Sequence, residues 1–148
     1  MAMTILVAFS ESVSSRVMLE FLASMPLCRE DCQVTLLHIF KKPPATEELM
    51  GKKFTDEQPS RLMAALQKAK DKLVENGFGP DRIQIKLVSD PYPTVADGII
   101  DQCKKHGCQV VMMGRKKMSK AEEFVMGDVS VKLVRALEGT AVLVVKSK

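Results

Sequence analysis

Hydrophobic positions along the chain switch repeatedly between two periods. Residues 3–9 (MTILVAF) form an unbroken apolar run that includes β-branched side chains, which predicts a strand covered on both faces. Residues 10–15 are polar and supply candidate N-caps. From Ser14 onward Val17, Met18, Phe21, Leu22 and Met25 recur at helical spacing, and Pro26 ends the pattern. Residues 33–40 (QVTLLHIF) predict a second strand. Residues 41–60 hold three prolines, one glycine and many charges, and read as a long irregular excursion, a flap. Residues 61–76 predict a helix with Leu62, Leu66, Ala69 and Leu73 on one face, stopped by Gly77 and Gly79. Residues 82–89 (RIQIKLVS) alternate, as expected of an edge strand with one more exposed face. A turn at DPYPT leads to a helix opened by Pro93 or Thr94 and running to about Lys105. A strand over 109–113, a helix over 125–137 with extra turns before it, and a strand over 140–145 complete the chain.

The predicted order is β-α-β-α-β-α-β-α-β. Such alternation implies an open five-stranded parallel sheet with helices on both faces. Right-handed crossovers with one reversal give strand order 3-2-1-4-5, two helices on each face, and a switch point between strands one and four. Ligands of such sheets bind outside the carboxyl ends of the strands at that point. Here those ends are Phe9-Ser10-Glu11-Ser12 and Met113-Gly114-Arg115.

Length changes this picture little, since 148 residues fit one domain, residues 1–148, with a core of its own. At 46% hydrophobic and 27% charged residues the composition is that of a globular protein. No apolar run approaches the roughly 20 residues of a membrane span. The first residues show no basic segment and small-residue cleavage site, so the expectation is a cytoplasmic protein without a leader. A net charge of +4 suits anionic ligands, while one Tyr, six Phe and no Trp argue against a base-stacking platform for nucleic acid. The four cysteines, Cys28, Cys32, Cys103 and Cys108, are spaced C-x3-C and C-x4-C rather than as zinc knuckles, and are expected to be reduced thiols. Both pairs fall at the sheet end opposite the switch point. His38, within strand two, is expected to be a structural, hydrogen-bonded residue. No Ser-His-Asp set and no G-x-x-x-x-G-K-[ST] loop is present, so no catalytic residue is assigned.

ILVAF followed by a serine-rich turn, VTLLHIF, DPYPTVADGIIDQCKKHGCQVVMMG and GDVSVKLVRALEGTAVLVVK together resemble the universal stress protein family over essentially the whole chain. The resemblance implies an adenine nucleotide α-hydrolase-like, Rossmann-like fold. In that family a strand ending in Met-Gly is followed by a second Gly three residues on, a third ten residues later, and then a Ser or Thr. The matching positions here are Met113-Gly114, Lys117, Gly127 and Asp128, with Val129 and Ser130 following. The spacing is kept while the second Gly and the hydroxyl residue are replaced. ATP-binding members usually carry an acidic residue after the first strand, where this chain has Ser10, and many have Gly where it has Ser89.

Physical chemistry explains why these positions matter. Glycine at 114 lets backbone approach a ligand and is free to take positive φ. Gly127 precedes a helix whose first N–H groups suit a phosphate. An ionised Asp128 cannot donate to that phosphate, repels it by about 1 kcal/mol in water and more in a drier site, and suits the helix N-terminus itself. Arg115, Lys116, Lys117 and Lys120 form a basic loop nearby, read either as solvated surface or as part of an anion site. Two readings of this site therefore stay open, beside a third for the chain, a redox or metal sensor using the cysteines. One is a stress-response binding module with a degenerate nucleotide site. The other is an ATP-binding protein, with magnesium, using Gly114, Gly127, Val129 and Ser130, with Lys117 compensating and Ser10 near the ribose or base. In either case the resemblance implies a homodimer formed through residues 140–146, an apolar strand that would otherwise be an exposed edge.

Overall fold

A computed structural model describes residues 3–10, 12–25, 31–40, 52–116, 120–121 and 129–147, the side chains of 52–58 excepted. Five parallel strands form one sheet: β1 (Met3–Ala8), β2 (Cys32–Ile39), β3 (Ile83–Val88), β4 (Val110–Arg115) and β5 (Ala141–Lys146), in the order β3-β2-β1-β4-β5. The single reversal lies between β1 and β4, with Ala8 opposite Met113 at its upper end. β3 and β5 are the two edges.

The helices described are α1 (Val13–Ser24), α2 (Lys52–Glu75), α3 (Val95–His106) and α4 (Val129–Ala136). The two faces of the sheet separate by the parity of strand residues, since neighbouring side chains point to opposite sides. Ile5, Val7, Val34, Leu36 and Met112 pack with Met18 and Leu22 of α1 and Leu66, Ala69 and Leu73 of α2. Leu6, Leu37, Val111 and Met113 pack with Ile99 of α3 and Leu133 of α4. Both layers thus lie where the sequence put them. Fully buried leucines such as Leu22, Leu66 and Leu73 each contribute about 1.5–3 kcal/mol through loss of apolar surface from water.

Local chemistry fixes the helix ends. Ser12 caps α1 by accepting from the Ser15 N–H at 3.2 Å. Thr94 caps α3 by accepting from the Asp97 N–H at 3.2 Å, and its hydroxyl donates to the Asp97 carboxylate at 2.6 Å. Gly107 ends α3 in the left-handed region at φ 60°, with Lys104, Lys105 and His106 in the final turn facing the negative end of the helix dipole.

Three expectations are corrected. The helix expected over 61–76 begins at Lys52 and carries Pro59 within it. A proline interior to a helix removes one backbone bond at a cost of about 3 kcal/mol. The firm seating of Leu66, Ala69 and Leu73 on the sheet anchors the rest of the helix, from which it propagates cooperatively past that defect. Second, β4 runs through Gly114 and Arg115, which pair with Val145 and Lys146, so Gly114 is a strand residue without positive φ. Third, Cys103 and Cys108 are not reduced thiols: they form a disulfide, with Cα atoms 5.2 Å apart. The left-handed turn at Gly107 folds the chain back after α3, the Cys108 N–H donates to the Cys103 carbonyl at 3.1 Å, and the two side chains meet. Cys32 is buried and lies outside this disulfide. The flap residues 41–51, Cys28, and the helical turns expected over 125–128 lie outside the described residues.

Candidate functional site

The carboxyl ends of β1 and β4 meet as expected. After β1, four serines form a connected hydroxyl cluster. Ser10 Oγ lies 2.8 Å from Ser12 Oγ and 2.9 Å from Ser15 Oγ, and Ser12 Oγ lies 3.0 Å from Ser14 Oγ. The Ser10 N–H donates to Ser15 Oγ at 3.0 Å, and Ser15 is buried. This network pins the chain as it leaves β1 and turns into α1. Ser10, half-buried, presents a neutral hydroxyl where an acidic residue would present charge.

Phe9 is held from the other side. Its N–H donates to the Leu37 carbonyl at 2.8 Å, and its own carbonyl lies 2.8 Å from His38 Nδ1. His38 is therefore the structural histidine expected, tying β2 to the rim of the site.

Gly114 has a sharper role than ligand approach. A Cβ there would overlap the Ser14 carbonyl oxygen and lie 2.6 Å from its carbonyl carbon and 3.0 Å from the Ser15 nitrogen. The first turn of α1 rests directly on β4, and only glycine admits it. That packing is also what brings the serine cluster to the switch point.

Met113 is buried in the layer beneath α3 and α4, so its side chain belongs to the core. Val129 and Ser130 open the described part of α4, Ser130 buried and Val129 packed on the same layer. Arg115 is half-buried, while Lys116 and Lys120 are exposed. Lys117, Gly127 and Asp128 lie outside the described residues.

Among the described residues the perturbed titrations lie away from the switch point, along α3. The Tyr92 hydroxyl donates to Asp101 Oδ2 at 2.6 Å, accepts from Gln102 Nε2 at 3.1 Å, and Lys105 Nζ pairs with Asp101 at 3.0 Å. The bond from Tyr92, then that from Lys105, holds the Asp101 carboxyl below its usual range. The bond to Asp101, then burial, raises Tyr92, and the bond to Asp101 raises Lys105. Gln102 continues inward, accepting from Lys86 Nζ at 2.9 Å, so the group ties α3 to β3. Its signal in the sequence was weak, since Tyr92 read only as part of a turn.

An open parallel sheet with this order, a serine-lined exit from β1 and a glycine in β4 covered by helix backbone define an open α/β fold with its switch point between β1 and β4. The universal stress protein family model matches residues 1–146, and the chain belongs to that family. No protein of curated function matches it. Its fold is similar to that of the hypothetical protein MJ0577, at 20% identity over 100% of this chain and 98% of that one, with TM-score 0.73. It is similar to a universal stress protein in complex with cAMP, at 16% identity over 97% and 95% of the chains, TM-score 0.66. A universal stress protein family protein from Arabidopsis thaliana with AMP bound is similar at 19% identity over 99% and 92%, TM-score 0.67.

Proposed function

We propose that this universal stress protein is a non-catalytic binding module, homodimeric through residues 140–146, whose switch-point site takes an adenine mononucleotide in preference to ATP. The observation that carries this reading is the serine cluster built onto β4 at Gly114. It offers several neutral donors and acceptors at the end of β1, suited to a ribose or base. Relatives of the same fold bind cAMP and AMP, which supports a mononucleotide-sized ligand. The phosphate end is the impaired one. Asp128, in the position of the family's hydroxyl, sets a carboxylate against any chain of phosphates, and that repulsion grows with phosphate charge. Lys117, in place of a glycine, removes backbone access near the same end.

Arg115, the last residue of β4, and Lys116 after it favour a rival reading in which cations offset Asp128 and magnesium-ATP binds. Calorimetric titration of nucleotide-free protein with AMP and with magnesium-ATP separates the two. The expected result is saturable AMP binding at least tenfold tighter than ATP binding. ATP binding as tight as AMP would establish the rival, and no heat from either at millimolar ligand would refute both.

A further inference from the structure

A groove of about 470 Å³ lies between α1 and α2, on the face of the sheet opposite α3 and α4. It exists because α2 presents small side chains there. Ala65 and Ala69, one helical turn apart, face the gap beside Leu19 of α1, where larger residues would interdigitate and close it. The floor is therefore apolar, and the volume falls in the range of small-molecule sites.

The rim is cationic. Among the described residues Arg16, Arg61, Lys68 and Lys72 line the groove with one carboxylate, Glu20, which pairs with Lys72 at 3.4 Å. Arg16 on α1 and Lys68 on α2, both exposed, leave an excess of positive charge among the described lining residues. Concentrated along two low-dielectric walls, such an excess draws anions and disfavours neutral or cationic occupants. Apolar floor and cationic rim together match a molecule that is apolar along its body and anionic at its head.

We propose that this groove binds a small free carboxylate with an apolar chain, its body against Leu19, Ala65 and Ala69 and its head paired with the rim cations. Phe9 and Ser10 close the upper end of the groove, so an occupant would lie beside the switch point without entering it. The inference is independent of which nucleotide that site takes.

The test is titration of the full chain with monomeric decanoate, below micelle formation, followed by calorimetry, with decanol as the neutral control. One-to-one saturable binding of decanoate is expected, at least tenfold weaker in an Arg16→Glu, Lys68→Glu double variant, whose side chains are exposed in the native fold. Ala65→Leu should abolish decanoate binding while leaving thermal unfolding, and the response to AMP measured in parallel, unchanged. Absence of saturable heat at millimolar decanoate would overturn the proposal. So would equal affinity in the wild type and both variants, or decanol binding as well as decanoate. Capture by anionic phospholipid vesicles without a response to monomeric decanoate would also overturn it, since that describes a charged surface and not a filled groove.

Discussion

At the scale of single residues, Gly114 joins fold and site. Its missing side chain is the space occupied by the Ser14 backbone, so a methyl group there must push α1 off β4. Gly114→Ala is expected to destabilise the protein by at least about 1–3 kcal/mol, the usual cost of overpacking, because the neighbour is backbone and cannot rotate away. Chemical denaturation checks this, and a loss below about 0.5 kcal/mol would mean the contact relaxes freely. The sequence marked Gly114 as important but assigned it to ligand approach, because which helix lies over a strand is a tertiary fact that spacing does not carry. Tyr92 offers a second test. Asp101 is depressed below its ordinary 3.8, so its contribution is present above that value and is lost as pH falls through the folded value. Tyr92 is raised above 10.0 and Lys105 above 10.5, so theirs is present below those values and is lost as pH rises through the folded ones. Thermal unfolding of Tyr92→Phe against wild type should therefore show a deficit that is constant at intermediate pH. The deficit should shrink below about pH 4 and above about pH 10. A deficit independent of pH would assign Tyr92 a packing role only.

At the scale of elements, the strands and the seating of the helices were legible because apolar runs and helical spacing speak directly to burial. Helix ends were less so. Pro59 reads as a stop, yet α2 passes through it, since the anchoring of Leu66 and Leu73 on the sheet outweighs one missing bond. The pairing of Cys103 with Cys108 was equally hidden. It depends on the left-handed turn at Gly107, and the C-x4-C spacing alone allows the sulfurs to point apart. Thiol titration of the unreduced, denatured chain is expected to give two reactive groups from its four cysteines, and four would refute the disulfide. Cys103→Ser should cost roughly 2 kcal/mol, the value for so short a loop. The remaining edge is β5, bonded to β4 on one side only, with Val142 and Val144 half-buried. An apolar edge of this kind invites a second strand. Val142→Lys or Val144→Lys is expected to convert a dimer to a monomer in sedimentation, and an unchanged profile would place any dimer contact elsewhere.

At the scale of the whole molecule, the sheet order sets the site at one end and leaves the disulfide at the other. The proposed nucleoside half of that site is Ser10 with its serine neighbours and Gly114. Its phosphate half is assigned to Lys117, Gly127 and Asp128 by their positions in the sequence. On the proposed reading, departures from the family pattern at Lys117 and Asp128 belong to that half alone, so a nucleotide would be kept while its phosphate chain is penalised. Substitution of Asp128 tests this division. Asp128→Ser removes a negative charge and supplies a donor, so ATP affinity should rise by about 1 kcal/mol or more, a fivefold or greater gain, while AMP affinity changes less. Thermal shift reads the same difference, because a ligand present at about 100 times its Kd stabilises by about 2.7 kcal/mol. Saturating ATP should therefore raise the unfolding temperature of Asp128→Ser more than that of wild type. If both nucleotides gain equally, Asp128 acts on the first phosphate and the preference for a mononucleotide has another origin. If neither gains, the carboxylate lies away from the ligand, and Lys117→Gly becomes the substitution that should restore ATP.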